Sequence, residues 1–157
     1  MSIVRCTPSD FQHIVAHLAE FWGSDRTASL HHPLFVHEFG DSAFVLHAGP
    51  VIAAYLFGVY AQTSATAYVH LVAVRAPYRR QGYARQLYLH FMTAARAHGC
   101  QRLKAITTPG NRTSIAFHRS LGMELQGQPN GDGIPVVRDY AGLGEDRVVM
   151  IGSLGGC

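Results

Sequence analysis

Charge of either sign is scarce in this sequence. Thirteen Lys and Arg and ten Asp and Glu make up 15% of 157 residues and leave a net charge of +3 with histidine neutral. So slight an imbalance argues against a nucleic-acid or membrane-surface partner. Cysteine is also sparse: Cys6, Cys100 and Cys157 are odd in number, far apart and contain no Cys-x-x-Cys pair. A disulfide framework or thiolate zinc site is therefore not expected, and a reducing cytoplasm fits. The longest apolar run, Val51–Ala61, falls far short of the roughly 20 residues that span a bilayer. The N-terminal stretch lacks the apolar core of a signal peptide, so the expectation is a cytoplasmic protein with no membrane partner. There is no repeat, low-complexity segment or linker, and residues 1–157 read as a single domain.

What is present is enough apolar residue, 48%, for one core, and ten histidines able to carry protons near neutral pH. Thr7-Pro8-Ser9-Asp10 reads as a helix start, with Thr7 as cap, Pro8 in the first turn and Asp10 at the positive end. Phe11, Ile14, Val15, Leu18 and Phe21 or Trp22 follow at helical spacing, and Gly23 ends the run. Pro33 and Gly40 bracket a short second helix. Ala43–Ala48 and Val51–Tyr60, joined by Gly49-Pro50, predict a hairpin. Ala67–Val74 is a further strand, and a long helix covers about Gln81 to His98, with Leu87 and Phe91 on its apolar stripe and Gly99 at its end. Leu103–Thr107 predicts a strand, Asn111–Leu121 a helix with Phe117 and Leu121 in the core, and Arg147–Ile151 a last strand before a frayed tail. The order implies an α/β (α+β) fold, antiparallel strands first and a parallel strand–helix–strand crossover over residues 67–107.

The chemistry concentrates where the strand ending at Val74 meets Arg79-Arg80-Gln81-Gly82-Tyr83-Ala84-Arg85. The first amides of a helix lack internal partners, and the helix dipole adds positive potential. Gly82 lets a ligand approach the backbone, and Arg79, Arg80 and Arg85, with Arg75 nearby, supply full charges. A diphosphate suits such a site. No Gly-x4-Gly-Lys-Ser/Thr and no Gly-x-Gly-x-x-Gly after a strand is present, so a Walker loop and a dinucleotide fold are unsupported.

This arrangement resembles the GNAT acetyltransferase superfamily. Arg79-Arg80-Gln81-Gly82-Tyr83-Ala84 matches the family's Arg/Gln-x-x-Gly-x-Gly/Ala motif at a strand-to-helix turn. Leu71–Pro77 is similar to the strand and proline before it, and Asn111–Met123 to the helix and Leu-Gly-Phe after it. The resemblance covers residues 43–125 well and the two ends only in layout. It implies a mixed, mostly antiparallel sheet flanked by helices, in which a bulge splays a parallel strand pair to hold acetyl-CoA as cosubstrate, without metal. The stretch Val72-Ala73-Val74 would pair with the pantetheine arm through the backbone of Val72 and Val74. The amides of Gln81, Gly82, Tyr83, Ala84 and Arg85 would hold the pyrophosphate. The amide near Val72 would also stabilise an oxyanion, and Asn111 would touch the arm. The activity implied is N-acetyl transfer to an amine of a small molecule or a protein. Dimers are common in the family.

One position departs from the family. Where a tyrosine commonly protonates the leaving thiolate, seven residues after Asn111, this sequence has His118. His118 would face the cofactor, and either it or water is the acid. His70, two residues before Val72, is the candidate base or water-positioning residue; the plain alternative is a half-buried histidine bonded to a backbone carbonyl. Glu38 and Asp139 are candidate contacts for a cationic amine, with solvated loop residues as the plain alternative. His31, His32 and His37 show no metal-ligand spacing and read as surface or substrate-lining groups. None of the three cysteines is linked to the loop, so direct attack in a ternary complex is expected rather than a covalent acyl-enzyme. Two competing readings remain: a sensor that binds acyl-CoA without turnover, and a toxin-like enzyme that acetylates aminoacyl-tRNA.

Overall fold

The computed structural model describes residues 1–155; Gly156 and Cys157 lie outside the described residues. The chain opens with β1 (Ser2–Arg5), which adds antiparallel to the edge of the predicted hairpin, β2 (Ala43–Ala48) and β3 (Val51–Tyr60). The strand β1 is not expected from the sequence: with exposed Ser2, Val4 and Arg5 it lacks an apolar alternation, and pairing with β2 creates it.

Thr7 caps α1 (Pro8–Ala16) as expected, in a reciprocal box: Asp10 N–H donates to Thr7 Oγ1 at 3.1 Å and Thr7 N–H donates to Asp10 Oδ2 at 2.9 Å. The single helix expected up to Trp22 is broken at His17, whose ring folds back so that Nδ1 meets His13 O at 2.7 Å. A second helix, α2 (Leu18–Trp22), then follows and ends at left-handed Gly23. The short helix expected between Pro33 and Gly40 is α3 (Leu34–His37).

Next come β4 (Thr66–Val74), α4 (Tyr83–Ala97), β5 (Arg102–Thr107) and α5 (Arg112–Ser120). Three two-residue strands follow: β6 (Glu124–Leu125), β7 (Gln128–Pro129) and β8 (Pro135–Val136); the last strand is β9 (Val148–Ser153). The main sheet runs β1-β2-β3-β4-β5-β9-β6, and only β4–β5 is parallel, as the crossover predicts. The tail is not frayed as far as Leu154. That residue is buried, its N–H donates to Gln101 O at 2.9 Å, and Arg96 Nε donates to its carbonyl at 2.6 Å.

Helices cover the sheet on both faces. Leu87, Tyr88, Phe91 and Ala95 of α4 pack on Ala67, Val69, Leu103 and Ala105. On the other face Ile14, Leu18, Phe21 and Val36 of α1–α3 pack on Val45, Tyr55, Phe57, Leu71 and Ala73. Each buried aliphatic side chain is worth about 1.5–3 kcal/mol, so these two clusters fix the site between them. No helix among the described residues is long and apolar enough to cross a membrane.

Candidate active site

Two irregularities in β4 make the site. The first is a bulge. Phe57 pairs with Leu71 and Gly58 with Val69, so His70 has no partner on β3. One extra residue flips the alternation of faces along β4 and sharpens its twist. Gly58 permits this: a Cβ there would stand 2.7 Å from Phe91 Cζ and 2.8 Å from Tyr68 O. The second irregularity is loss of pairing. The strands β4 and β5 stay in register only from Thr66/Arg102 to Val69/Ala105. Beyond Val69 they part, and the β5-facing edge of Leu71–Val74 is left open, as the resemblance implied.

The direction of the free groups follows from one bond. Arg75 N–H donates to Ala53 O on β3 at 2.8 Å. Alternation along a strand turns the backbone of Val72 and Val74 the opposite way, toward the gap. Ala73 points its backbone at β3 and its side chain into the core. The Val74 carbonyl is already held by Arg79 Nε at 3.2 Å.

The loop after β4 is wound into a cradle. Arg80 takes φ 61 and Gly82 takes φ 79, both left-handed. For Arg80 this backbone costs about 1–2 kcal/mol. Alternating left-handed residues turn successive N–H groups inward to form an anion-binding concavity. The first helical bond of α4 is Gln86 N–H to Gly82 O, 3.0 Å. Among the described residues, the amides of Arg80 through Arg85 donate to nothing. A Cβ on Gly82 would meet no atom within 4 Å, so the space beside this glycine is open. The chain thus leaves a row of unpaired donors at a helix start, beside two exposed guanidinium groups, Arg80 and Arg85.

Two other arginines of this segment are bonded within the protein. Arg79 Nη2 donates to Phe21 O at 2.7 Å and ties the loop to α2. Arg75, expected near the loop, turns away: it bonds Glu20 at 2.6 Å, meets His13 Nε2 at 3.1 Å and lies 4.9 Å over the Phe21 ring. Tyr83 is buried, with its hydroxyl donating to Gln81 Oε1 at 3.1 Å.

Asn111 caps α5, its Oδ1 accepting from Ser114 N–H at 3.1 Å. His118, two turns on, is 4% exposed. Its Nδ1 lies 2.7 Å from Ser114 O, and a carbonyl only accepts, so Nδ1 carries the hydrogen. Its Nε2 then accepts from the Tyr88 hydroxyl at 2.5 Å. Burial lowers the His118 pKa, against a smaller opposing effect of the Ser114 bond, so the ring is neutral at pH 7. Tyr88 lies on the buried face of α4, and the sequence signal for its bond to His118 is that a buried tyrosine hydroxyl needs a partner.

His70 sits at the mouth of the gap. Its Nε2 donates to Leu30 O at 3.0 Å, and its ring stacks on Phe35 at 4.5 Å. The same logic puts the hydrogen on Nε2 and leaves Nδ1 as a bare acceptor. Burial lowers its pKa as well, the Leu30 bond opposing. Glu38 is exposed at the end of α3. Asp139, in left-handed backbone at φ 55, is used by its own loop, its Oδ1 accepting from Gly144 N–H at 2.7 Å. His31 is not a surface group: it is 7% exposed and accepts at Nε2 from Tyr55 Oη at 2.7 Å. Burial pushes the Cys6 thiol up to about 12, and it raises Cys100 too, so neither is a ready thiolate. No group of three or more His, Cys, Asp and Glu is placed to hold a metal among the described residues.

Residues 8–123 match the family described as the acetyltransferase (GNAT) family. The chain belongs to that family. It is an acyltransferase by that membership, and its mixed sheet with one splayed parallel pair is the GNAT fold. Among solved structures it is similar to the ribosomal-protein-S18-alanine N-acetyltransferase from Escherichia coli (21% identity, TM-score 0.72, 99% of this chain and 95% of that one). It is also similar to an aminoglycoside 6'-N-acetyltransferase complexed with coenzyme A (11%, 0.74, 100% and 99%). A third is the GNAT-like decarboxylase GphF in complex with isobutyryl-CoA (15%, 0.77, 99% and 100%). These identities speak for the shared fold alone. No curated protein sequence matches the chain.

Proposed function

We propose that this GNAT protein is an N-acetyltransferase that takes the acetyl group of acetyl-CoA and passes it to a primary amine by direct attack in a ternary complex. The observation that carries the reading is the row of undonated amides from Arg80 to Arg85, wound around left-handed Gly82, beside which the space is open. A diphosphate is the guest that such donors and the flanking Arg80 and Arg85 suit. The outward backbone of Val72 and the N–H of Val74 supply a strand edge for an amide-rich arm, and Asn111, its Oδ1 used by the cap, keeps its NH2 group for the same arm.

The thioester supplies an activated acyl group; the protein's own groups do the rest. His70 is the proposed base. With Nε2 donating to Leu30, it holds Nδ1 as a neutral acceptor at the bulge, able to take a proton from the attacking ammonium directly or through water. The amide of Val72, turned to the gap, is the proposed donor to the developing oxyanion. His118 acts as acid only if Tyr88 releases its Nε2 and that nitrogen takes up a proton from solvent; otherwise the leaving thiolate takes its proton from water. The high thiol pKa of Cys6 and Cys100 favours direct attack over an acyl-enzyme.

The test is calorimetric titration with acetyl-CoA, paired with thiol release on a panel of amines. Binding plus amine-dependent thiol release supports the reading. Binding without release by any amine would make the chain an acyl-CoA sensor, and no binding would remove the diphosphate from the cradle.

A further inference from the structure

A second depression lies on the sheet face that α1–α3 cover only in part. It is a groove of about 510 Å3 below the last paired residues of β4 and β5. Tyr68, Lys104 and Arg102 project into it from the sheet, Ser64 and Thr66 edge it, and Tyr140 closes it from the loop over residues 137–147. Tyr68 joins the groove to the gap, because its ring lies 6.2 Å from that of His70.

The charge in this groove is of one sign. Lys104 Nζ stands 5.0 Å over the Tyr140 ring, and neither it nor Arg102 has an acidic partner among the described residues. No carboxylate lines the groove. Those of the overlying loop are used elsewhere. Asp139 accepts from Gly144 N–H at 2.7 Å, Asp146 from Asp139 N–H at 2.9 Å, and Glu145 pairs with Arg147 at 3.0 Å. Glu124 shares the face, two strands beyond Lys104 across Ile151, at about 10 Å for two strand spacings. A half-buried lysine with only an aromatic ring beside it is an incomplete ion pair.

Given acetyl transfer to an amine at the gap, on which this step rests, we propose that the acceptor carries its own carboxylate or phosphate, held by Lys104 and Arg102. The placement suits a small bifunctional molecule. Lys104 precedes Ala105, the last residue of β5 that pairs with β4, and Arg102 lies about 7 Å back along the strand. An amine directed to His70 would set its anionic end against Lys104 first. The same charges disfavour polyamines and other polycations.

Matched acceptors test this. Thiol release is measured with L-alanine against L-alaninamide, phosphoethanolamine against ethanolamine, and spermidine as a cation. At least one anionic member should show a KM tenfold or more below its neutral partner, and which pair separates tells carboxylate from phosphate. In Lys104→Met and Arg102→Met the advantage should shrink to threefold or less, with acetyl-CoA affinity unchanged. Equal or better use of the neutral partners or of spermidine overturns the proposal, as does an advantage that survives both variants. If no amine is turned over, the coenzyme A complex is titrated with N-acetyl-L-alanine, N-acetyl-L-alaninamide and O-phosphorylated N-acetylethanolamine. Selective binding of an anionic one supports the groove, and none overturns it. Failure to bind coenzyme A in the same calorimeter would instead sink the transferase reading.

Discussion

Tyr88 of α4 donates its hydroxyl hydrogen to Nε2 of His118 on α5, at 2.5 Å, in a fully buried contact. The direction is fixed from the far side of the ring, where Nδ1 donates to Ser114 O at 2.7 Å. The pair therefore works as a strut between the two helices that flank the proposed acyl-CoA site. Removing one partner leaves a buried polar atom unsatisfied, which costs about 1–3 kcal/mol. Tyr88→Phe should lower the urea-unfolding free energy by that amount while acetyl-CoA affinity stays within about twofold. His118→Phe should destabilise similarly. If His118 also gives the leaving thiolate its proton, His118→Phe alone will lower kcat with acetyl-CoA affinity unchanged. Equal kcat in wild type and His118→Phe would remove the ring from the chemistry.

The cradle makes a sharper forecast. Gly82 is left-handed at φ 79, with open space where a Cβ would stand, and belongs to the row of unpaired amides. Gly82→Trp should abolish acetyl-CoA binding in calorimetry by filling that space. Gly82→Ala tests the backbone separately, since a left-handed alanine costs about 1–2 kcal/mol, and should weaken binding far less than the tryptophan. Unchanged affinity in Gly82→Trp would mean that the diphosphate sits elsewhere.

Much of this site was legible because its signals are local. A strand running into Arg79–Arg85 with a glycine at the turn needs only chain geometry to predict exposed amides, and the structure has them. The hairpin at Gly49-Pro50 and the Thr7 cap were legible for the same reason. What failed depends on distant partners. The strand β1 forms only because β2 offers an edge, and the break at His17 lies inside an unbroken apolar periodicity. Arg75 looked like a phosphate ligand by proximity in sequence, yet Glu20, 55 residues away, claims it. His31 looked like surface because its bond to Tyr55 spans 24 residues. The cationic groove was invisible for the same reason: Tyr68, Lys104 and Tyr140 meet only after the sheet is assembled.

His70 predicts the acid limb of the rate profile. A base must be neutral to accept a proton, and burial lowers the pKa of this ring below its ordinary 6.5. The log of kcat/KM should therefore fall toward acid with a midpoint below 6.5 and be flat at pH 7. In His70→Gln that limb should disappear and kcat/KM should drop about 10²- to 10⁴-fold at pH 7. A profile that keeps its midpoint in the variant would assign the limb to another group and leave His70 as a bulge residue anchored to Leu30.

Stability should respond to pH in the same direction, for a different reason. His31, His70 and His118 each have a folded pKa lowered from 6.5, with burial the largest cause. The unfolded chain thus binds more protons than the folded one once pH falls to about 6.5, and unfolding free energy then declines as pH falls. The loss continues until each folded pKa is passed, at up to about 1.4 kcal/mol per group for each pH unit within its window. His31 is the cleanest reporter. Its Nε2 accepts from Tyr55 Oη, which in turn accepts from Trp22 Nε1, both at 2.7 Å, so an added proton has no acceptor to meet. Melting temperature should be level between pH 7 and 8 and fall from pH 6.5 to 5. Trp22 fluorescence should report the transition. In His31→Phe the slope should become shallower, because one of the three titrating rings is gone. A slope unchanged in that variant would mean that His31 titrates in the fold as it does in the unfolded chain.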